Sequence, residues 1–320
     1  MAAANLTEYV TASARNWSKG MADNVTQHNA LLTFLKNGRI RTANGGRTID
    51  EAIIYPTNPN TSIKWYSGYD TFSPPTTSEV LDAAEFQWKQ LGAFIAISGL
   101  EKLQNSGEGR RYDLARARLE QVQALLSNTL GAAIYNDGTV NNQIGGLQQL
   151  VADDPTAAGV VGGINQQTYS FWRNQTQGAM NVVLTSATIK AAMNALYLKC
   201  LRGQDKPTVI LADNYLYSTY WASLQEQARF TDSKTADAGF DNLKYKSAQV
   251  LYDYQAPAGH MYYLNLSSLF FKKAPGELLE VGSARTIQNA DYDVIPIFMA
   301  GNLTVNNRSL NGVLLSDPTP

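Results

Sequence analysis

The chain has 320 residues, enough for one large domain or two ordinary ones with a real core. Charged residues make up 17% and the formal net charge is −1, which excludes a globally basic nucleic-acid-binding surface and any global attraction to an anionic membrane. Cys200 is the single cysteine, which excludes an intrachain disulfide and a cysteine zinc cluster.

The start, Met1-Ala2-Ala3-Ala4-Asn5, has no basic or apolar region of the signal-peptide kind, and the apolar runs are too short to span a bilayer. The expectation is a protein made in a cytosol that stays soluble or assembles there. Triplets such as Asn5-Leu6-Thr7 then read as chance matches to a glycosylation motif.

Residues 1–45 are polar, with one helix predicted over 21–36, where Ala30, Leu31, Phe34 and Leu35 share a side. Asn44-Gly45-Gly46 ends the segment, which reads as an extended arm. Ile53, Ile54, Ile63, Trp65 and Tyr66 flank the turn cluster Pro56–Asn60. After Pro74-Pro75, alternation puts Ala84, Phe86 and Trp88 on one face and Glu85, Gln87 and Lys89 on the other. Together, 46–98 reads as a long β-hairpin excursion. Such a hairpin is marginal alone and needs a surface to lie on, either its own body or a neighbouring subunit.

Tyr112, Ala115, Leu119, Val122, Leu126, Leu130 and Ala133 form one helical stripe, stopped by Asn136-Asp137-Gly138. The spacing predicts a helix over about 110–135, a rod of roughly 39 Å at ~1.5 Å per residue. Residues 138–180 are rich in Gly, Asn and Gln without a period. A second helix is predicted over 186–202, with Ile189, Met193, Leu196 and Cys200 as its stripe, Ser186 as cap and Gly203 as terminator. Pro207–Ala212 reads as a short buried strand, and Asp213 or Asn214 as the cap of a third helix through Tyr217, Trp221 and Leu224. Strand-like runs follow at Val250–Tyr252, His260–Leu264, Leu269–Lys272 and Val294–Ala300. The fold class is α+β, with helices in the middle and strands at both ends.

No constellation of nucleophile, base or metal ligand emerges, so no catalytic, cofactor-binding or metal site is assigned, and the chain reads as not an enzyme. His28 and His260 are the only histidines, and neither has a His or Cys at metal-ligand spacing. Gly159–Asn165 lacks the endings of a phosphate-binding loop and reads as a flexible loop. Cys200 sits on an apolar stripe, as a buried inert thiol does. The acidic pairs Asp153/Asp154, Glu277/Glu280 and Asp291/Asp293 could in principle serve a hydrolase, but Asp153-Asp154-Pro155 is a turn signature first. Arg110, Arg111, Arg116 and Arg118 open the long helix against its macrodipole. They read as a solvated face countered by Glu108, Asp113 and Glu120, or as partners for a carboxylate elsewhere or phosphate.

The order of elements resembles the major capsid proteins of tailed bacteriophages, whose fold encapsulin shells share. Lys206–Tyr217 looks like that family's strand-to-helix phrase, and His260–Phe271 followed by Glu277–Glu280 is similar to its late strands. The resemblance implies an N-terminal arm at 1–45, an extended loop at 46–98 and a peripheral domain at 99–165 with a spine helix at 107–135. It further implies an axial domain at 166–275 and a return to the peripheral domain at 276–320. It implies a structural protein that assembles with copies of itself into hexamers and pentamers of an icosahedral shell around double-stranded DNA, made in the host cytoplasm and resident in the virion. Portal, scaffolding and decoration proteins are the further partners it implies. DNA contact would be non-specific, with no membrane and no cofactor. No charged helical segment precedes the arm, so a fused scaffolding domain is not expected. Lys64 lies where some members carry a crosslinking lysine, but no partner for it is identified. An encapsulin-like compartment is the alternative of the same fold, and a soluble hydrolase the alternative of another class.

Overall fold

The computed structural model describes residues 29–54, 65–71, 81–104, 114–224, 243–276, 278–286 and 291–318. The first helix, α1 (Ala30–Lys36), is capped by Asn29, whose Oδ1 accepts from the Leu32 N–H at 2.7 Å. Leu31, Leu32 and Leu35 are buried in the main core, and the Asp253 carboxylate accepts from the Ala30 and Leu31 N–H groups. This part of the expected arm therefore packs on the body. The predicted turns at 21–28 lie outside the described residues. Strand β1 (Ile40–Thr42) follows.

Strands β2 (Thr48–Ile54) and β3 (Leu81–Gln87) pair antiparallel along their whole length, from Thr48↔Gln87 to Ile54↔Leu81. Ile49, Glu51, Ile53, Ala84 and Phe86 are buried on one face, while Asp50, Ala52 and Ile54 are exposed on the other. The hairpin ends earlier than the alternation suggested. Trp88 interrupts the run, its indole N–H donating to Gly46 O at 3.1 Å. Strand β4 (Lys89–Ser98) then pairs over ten residues with β15 (Tyr292–Val305) of the body. The expected excursion of 46–98 is thus corrected: continuous alternation cannot show that a strand has changed partner.

Helices α2 (Gly99–Gln104) and α3 (Leu114–Ala133) come next. Of the predicted stripe, Leu119, Val122 and Leu126 pack on Ile95, Ile97 and Ile297, and Leu130 and Ala133 enter the main core. Tyr112 and the Ala115 side chain lie outside the described residues. The helix stops at a turn where Gly138 takes φ +80°. A short α4 (Leu147–Leu150) follows.

The stretch 159–165, expected as a flexible loop, is an ordered tight hairpin of β5 (Val160–Val161) and β6 (Ile164–Asn165). Its turn, Gly162-Gly163, has φ values of +61° and +77°, which glycine adopts without a Cβ penalty. The sequence signal was that glycine pair between the apolar Val160-Val161 and Ile164.

Further along lie β7 (Gln175–Gly178), α5 (Ile189–Cys200), β8 (Val209–Ala212) and α6 (Asn214–Ser223). Ile189, Met193, Leu196 and Cys200 are fully buried. The N-cap position of α5 is Thr188, not Ser186. Asp213 caps α6, its Oδ1 accepting from the Leu216 N–H at 2.9 Å. The remaining strands are β9 (Leu243–Tyr245), β10 (Ala248–Tyr252), β11 (His260–Leu264), β12 (Leu269–Lys273), β13 (Glu280–Val281), β14 (Arg285–Thr286) and β16 (Gly312–Leu315).

Two sheets organise these elements. The first runs β1-β12-β15-β13, with β4 and β14 also on β15, and α3 covers one of its faces. The second runs β7-β16-β11-β8-β10-β9. Its strand β8 turns Ile210 and Ala212 towards α5 and α6, and Val209 and Leu211 towards the main core. The expected boundary at 275 shifts accordingly: β12 belongs to the first sheet, and β16 lies in the second rather than returning with β15 to the first. Strand β16 was not foreseen, because Gly312–Leu315 is too short to show a period.

Candidate functional site

The residues singled out for chemistry do not converge. His260 is buried, its Nδ1 2.8 Å from Ala258 O and its Nε2 3.1 Å from Asp153 Oδ2. Both partners are acceptors, and only the protonated ring donates to both, so the imidazolium form clamps β11 to the turn after α4. Its neighbour Asp154 serves the turn, accepting from the Thr156 N–H at 2.9 Å and from its hydroxyl. Asp293 is tied to Lys102 and Thr286, Glu280 is exposed in β13, and Glu277 lies outside the described residues, as does His28. The Cys200 thiol is buried and pushed up to about 12 by that burial, which removes its nucleophilic form at neutral pH. Among the described residues no group of three or more His, Cys, Asp or Glu could hold a metal ion.

The arginines at the start of the long helix divide. Arg110 and Arg111 lie outside the described residues, and Arg116 pairs with Glu120 one turn on, at 2.9 Å. Arg118 reaches back to α2, donating to both Glu101 carboxylate oxygens at 2.8 and 3.0 Å and to Ala96 O. Arg118 and then the Ser98 N–H hold Glu101 down at about 2. The carboxylate that answers Arg118 is thus on a neighbouring element.

Sequence reasoning missed Arg308, which is fully buried. It donates five hydrogen bonds, to Leu150 O, Gln166 Oε1, Trp172 O, Gln149 O and Asn174 Oδ1. Burial lowers it to about 10, so it remains charged at neutral pH. It ties α4, the segment after β6 and the 308–310 turn together, and faces no opening where a substrate would sit.

What the structure does present is uncovered surface. The outer face of the first sheet carries Phe94 and Phe298, with their rings edge to face at 5.5 Å and exposures of 65% and 51%. A cleft of about 520 Å³ beside them is lined by Leu91, Pro275, Glu280 and Met299. The hairpin is seated on the β5–β6 turn, where the Glu85 N–H donates to Gly162 O at 3.0 Å and a Cβ on Gly162 would lie 2.9 Å from that of Ala84. Beyond β2, Trp65 and Tyr69 are fully exposed. A second cleft, about 550 Å³, opens at the end of β2 away from the hairpin root, between Ile53, Ile54, Phe171, Trp172 and Arg202. Uncovered apolar surfaces of this kind suit contact with other polypeptide.

Among the described residues no helix is long and apolar enough to cross a membrane. No protein-family model matches the chain, and no curated protein matches its sequence. Solved structures do match it over nearly its whole length. The capsid asymmetric unit of cyanophage A-1(L) aligns with a TM-score of 0.73 at 17% identity, covering 96% of this chain and 97% of that one. The capsid of a native GTA particle aligns at 0.67 and 12%, covering 94% of each chain. The SrpI encapsulin complex of Synechococcus elongatus aligns at 0.62 and 12%, covering 98% and 97%. The chain therefore has the α+β fold that tailed-phage capsid subunits and encapsulin shells share.

Proposed function

We propose that this chain is the major capsid protein of a tailed bacteriophage, assembling with itself into hexamers and pentamers of an icosahedral shell around double-stranded DNA. The observation that carries this reading is the end-to-end match to a cyanophage capsid subunit, 96% of one chain on 97% of the other. The uncovered hairpin face and the exposed Phe94–Phe298 pair support it, because both gain by lying against neighbours. In this reading the role is structural and not enzymatic. Residues 1–45 form the arm, 46–98 contain the extended loop, to which strands β2 and β3 belong, and the spine helix of the peripheral domain includes α3. The second sheet forms the axial domain. Portal, scaffolding and decoration proteins are the further partners. Assembly takes place in the host cytoplasm and the product resides in the virion.

Negative-stain electron microscopy of the expressed full chain tests the proposal. Icosahedral shells, or hexamers and pentamers, are expected, and a compact monomer at high concentration overturns it. Deleting 55–75 should leave the circular-dichroism signal of the subunit intact and abolish assembly. The encapsulin match supports a second reading, a protein-filled compartment. Shells whose nuclease-protected content is DNA favour the capsid, and shells filled with one co-expressed protein favour the compartment.

A further inference from the structure

The chain's charges nearly cancel, but one stretch is unbalanced. Between Lys36 and Ile49 stand Lys36, Arg39, Arg41 and Arg47, with no Asp or Glu, in a protein of net charge −1. The fold keeps this stretch on the outside. Lys36 occupies the last turn of α1, Arg39 ends the turn just before β1, Arg41 is the middle residue of β1, and Arg47 precedes β2. Strand β1 ends its sheet, pairing on one side only with β12, which sets Lys272 beside Arg41 and Lys273 beside Thr42. Lys36, Arg41 and Arg47 are exposed and Arg39 is half-buried.

Among the described residues none of these four cations has an ion pair. Arg41 lies over the Phe270 ring at 3.7 Å, a contact that orders the guanidinium without neutralising it. The next acids along the chain are already engaged: Glu51 holds Lys272 at 3.0 Å, and Asp50 accepts from the Thr48 hydroxyl. Upstream, residues 1–28 carry Glu8 and Asp23 against Arg15 and Lys19, so that segment brings no net counter-charge.

Clustered cations without partners repel one another, and a polyanion relieves that repulsion. We propose that the strip Lys36, Arg39, Arg41 and Arg47 is the subunit surface that meets packaged duplex DNA, through phosphates and without sequence preference. This rests on the capsid reading. Duplex DNA presents one charge per ~1.7 Å of axis, and Arg39 and Arg41 flank Ile40 at the start of β1, at most roughly 7 Å apart along the chain, so neighbouring cations can each take a phosphate. Among the described residues the ring in contact with the strip is Phe270, buried beneath Arg41, so it offers no face for stacking bases, which favours backbone contact.

The test is fluorescence anisotropy of the unassembled full chain with a labelled 30-base-pair duplex across a salt series. The variant Lys36→Gln/Arg39→Gln/Arg47→Gln leaves the Arg41–Phe270 contact in place, and Lys36→Arg/Arg39→Lys/Arg47→Lys keeps the charge. The slope of log affinity against log salt should fall by roughly 2–3 in the first variant, about 0.9 per lost phosphate contact, and stay at the wild-type value in the second. An unchanged slope in the glutamine variant, no wild-type binding at low salt, or retention on phosphatidylserine vesicles without DNA binding would each overturn the inference. Microscopy of the same wild-type protein separates the two failures: shells without DNA binding sink only this strip, whereas the absence of shells sinks the capsid reading.

Discussion

The two sheets of this subunit are finished to different degrees. In the second, β8, β11 and β16 are buried at every residue, because α5 and α6 cover one face and the main core the other. Such doubly covered strands read as continuous apolar runs. In the first, α3 covers one face only, and the other displays Phe94 and Phe298 to solvent. The hairpin repeats the second condition, with Ile54 at 84% exposure on its free face. Subunit stability is thus concentrated around the second sheet and the main core. Apolar area on the uncovered faces remains available to contacts between subunits, each large side chain contributing about 1.5–3 kcal/mol when buried.

If that division holds, the largest single loss comes from inside. Arg308→Ala leaves three carbonyls and two side-chain amide oxygens without their donor. Urea denaturation of the unassembled subunit should show a loss of about 3–5 kcal/mol. Arg308→Lys, with three donors for those five acceptors, should fall between. A loss below about 1 kcal/mol would mean that this junction is not where the subunit is held.

The His260–Asp153 clamp gives a smaller, pH-dependent effect. Burial pulls the His260 pKa down, but the hydrogen bond and charge of Asp153, the Ala258 carbonyl and the charge of Asp213 together raise it above its ordinary value. A raised folded pKa means that the clamp is fully present below the unfolded pKa, ~6.5, and is lost as pH rises through the folded value. His260→Gln should cost about 1–2 kcal/mol at pH 6 and less at pH 9, read from urea midpoints. A pH-independent cost would show that the ring is neutral in the fold.

Glu101 acts in the opposite direction. Arg118 and the Ser98 N–H hold it at about 2, so its contribution is present above the ordinary carboxylate range and fades as pH falls towards 2. Glu101→Gln should cost about 1 kcal/mol at pH 7, in keeping with a bidentate pair at the surface. The same comparison at pH 2 should show almost no difference.

The division between the sheets also decides what the sequence could reveal. The α5 stripe and the strand 209–212 were legible because each is an unbroken signal of one period, set by one packing environment. The hairpin was legible as an excursion, but its end was not, since pairing partners leave no trace in alternation. Arg308 and the His260–Asp153 contact join residues 134–159 and 107 positions apart, a relation that composition and spacing do not carry. The uncovered face was hidden for a related reason. Residue type alone does not separate a core phenylalanine from an interface one, and the register of β4 on β15, Phe94↔Pro296 and Gly92↔Phe298, is what turns Phe94 and Phe298 to the same outer face.

That face offers the smallest effect on the subunit and the sharpest test of the comparison. Phe94→Ser with Phe298→Ser removes two half-exposed rings that pack edge to face. Folding stability should change by about half a kcal/mol, the scale of an exposed edge-to-face pair. Assembly should respond very differently. If each ring contributes even 1.5 kcal/mol at a subunit contact, the pair is worth about 3 kcal/mol, and the concentration needed for shells rises by roughly 100-fold, measured by light scattering against protein concentration. A double variant that loses more than about 2 kcal/mol of folding stability would place these rings in the subunit's own core. One that folds and assembles as before would show that the face stays bare in the shell.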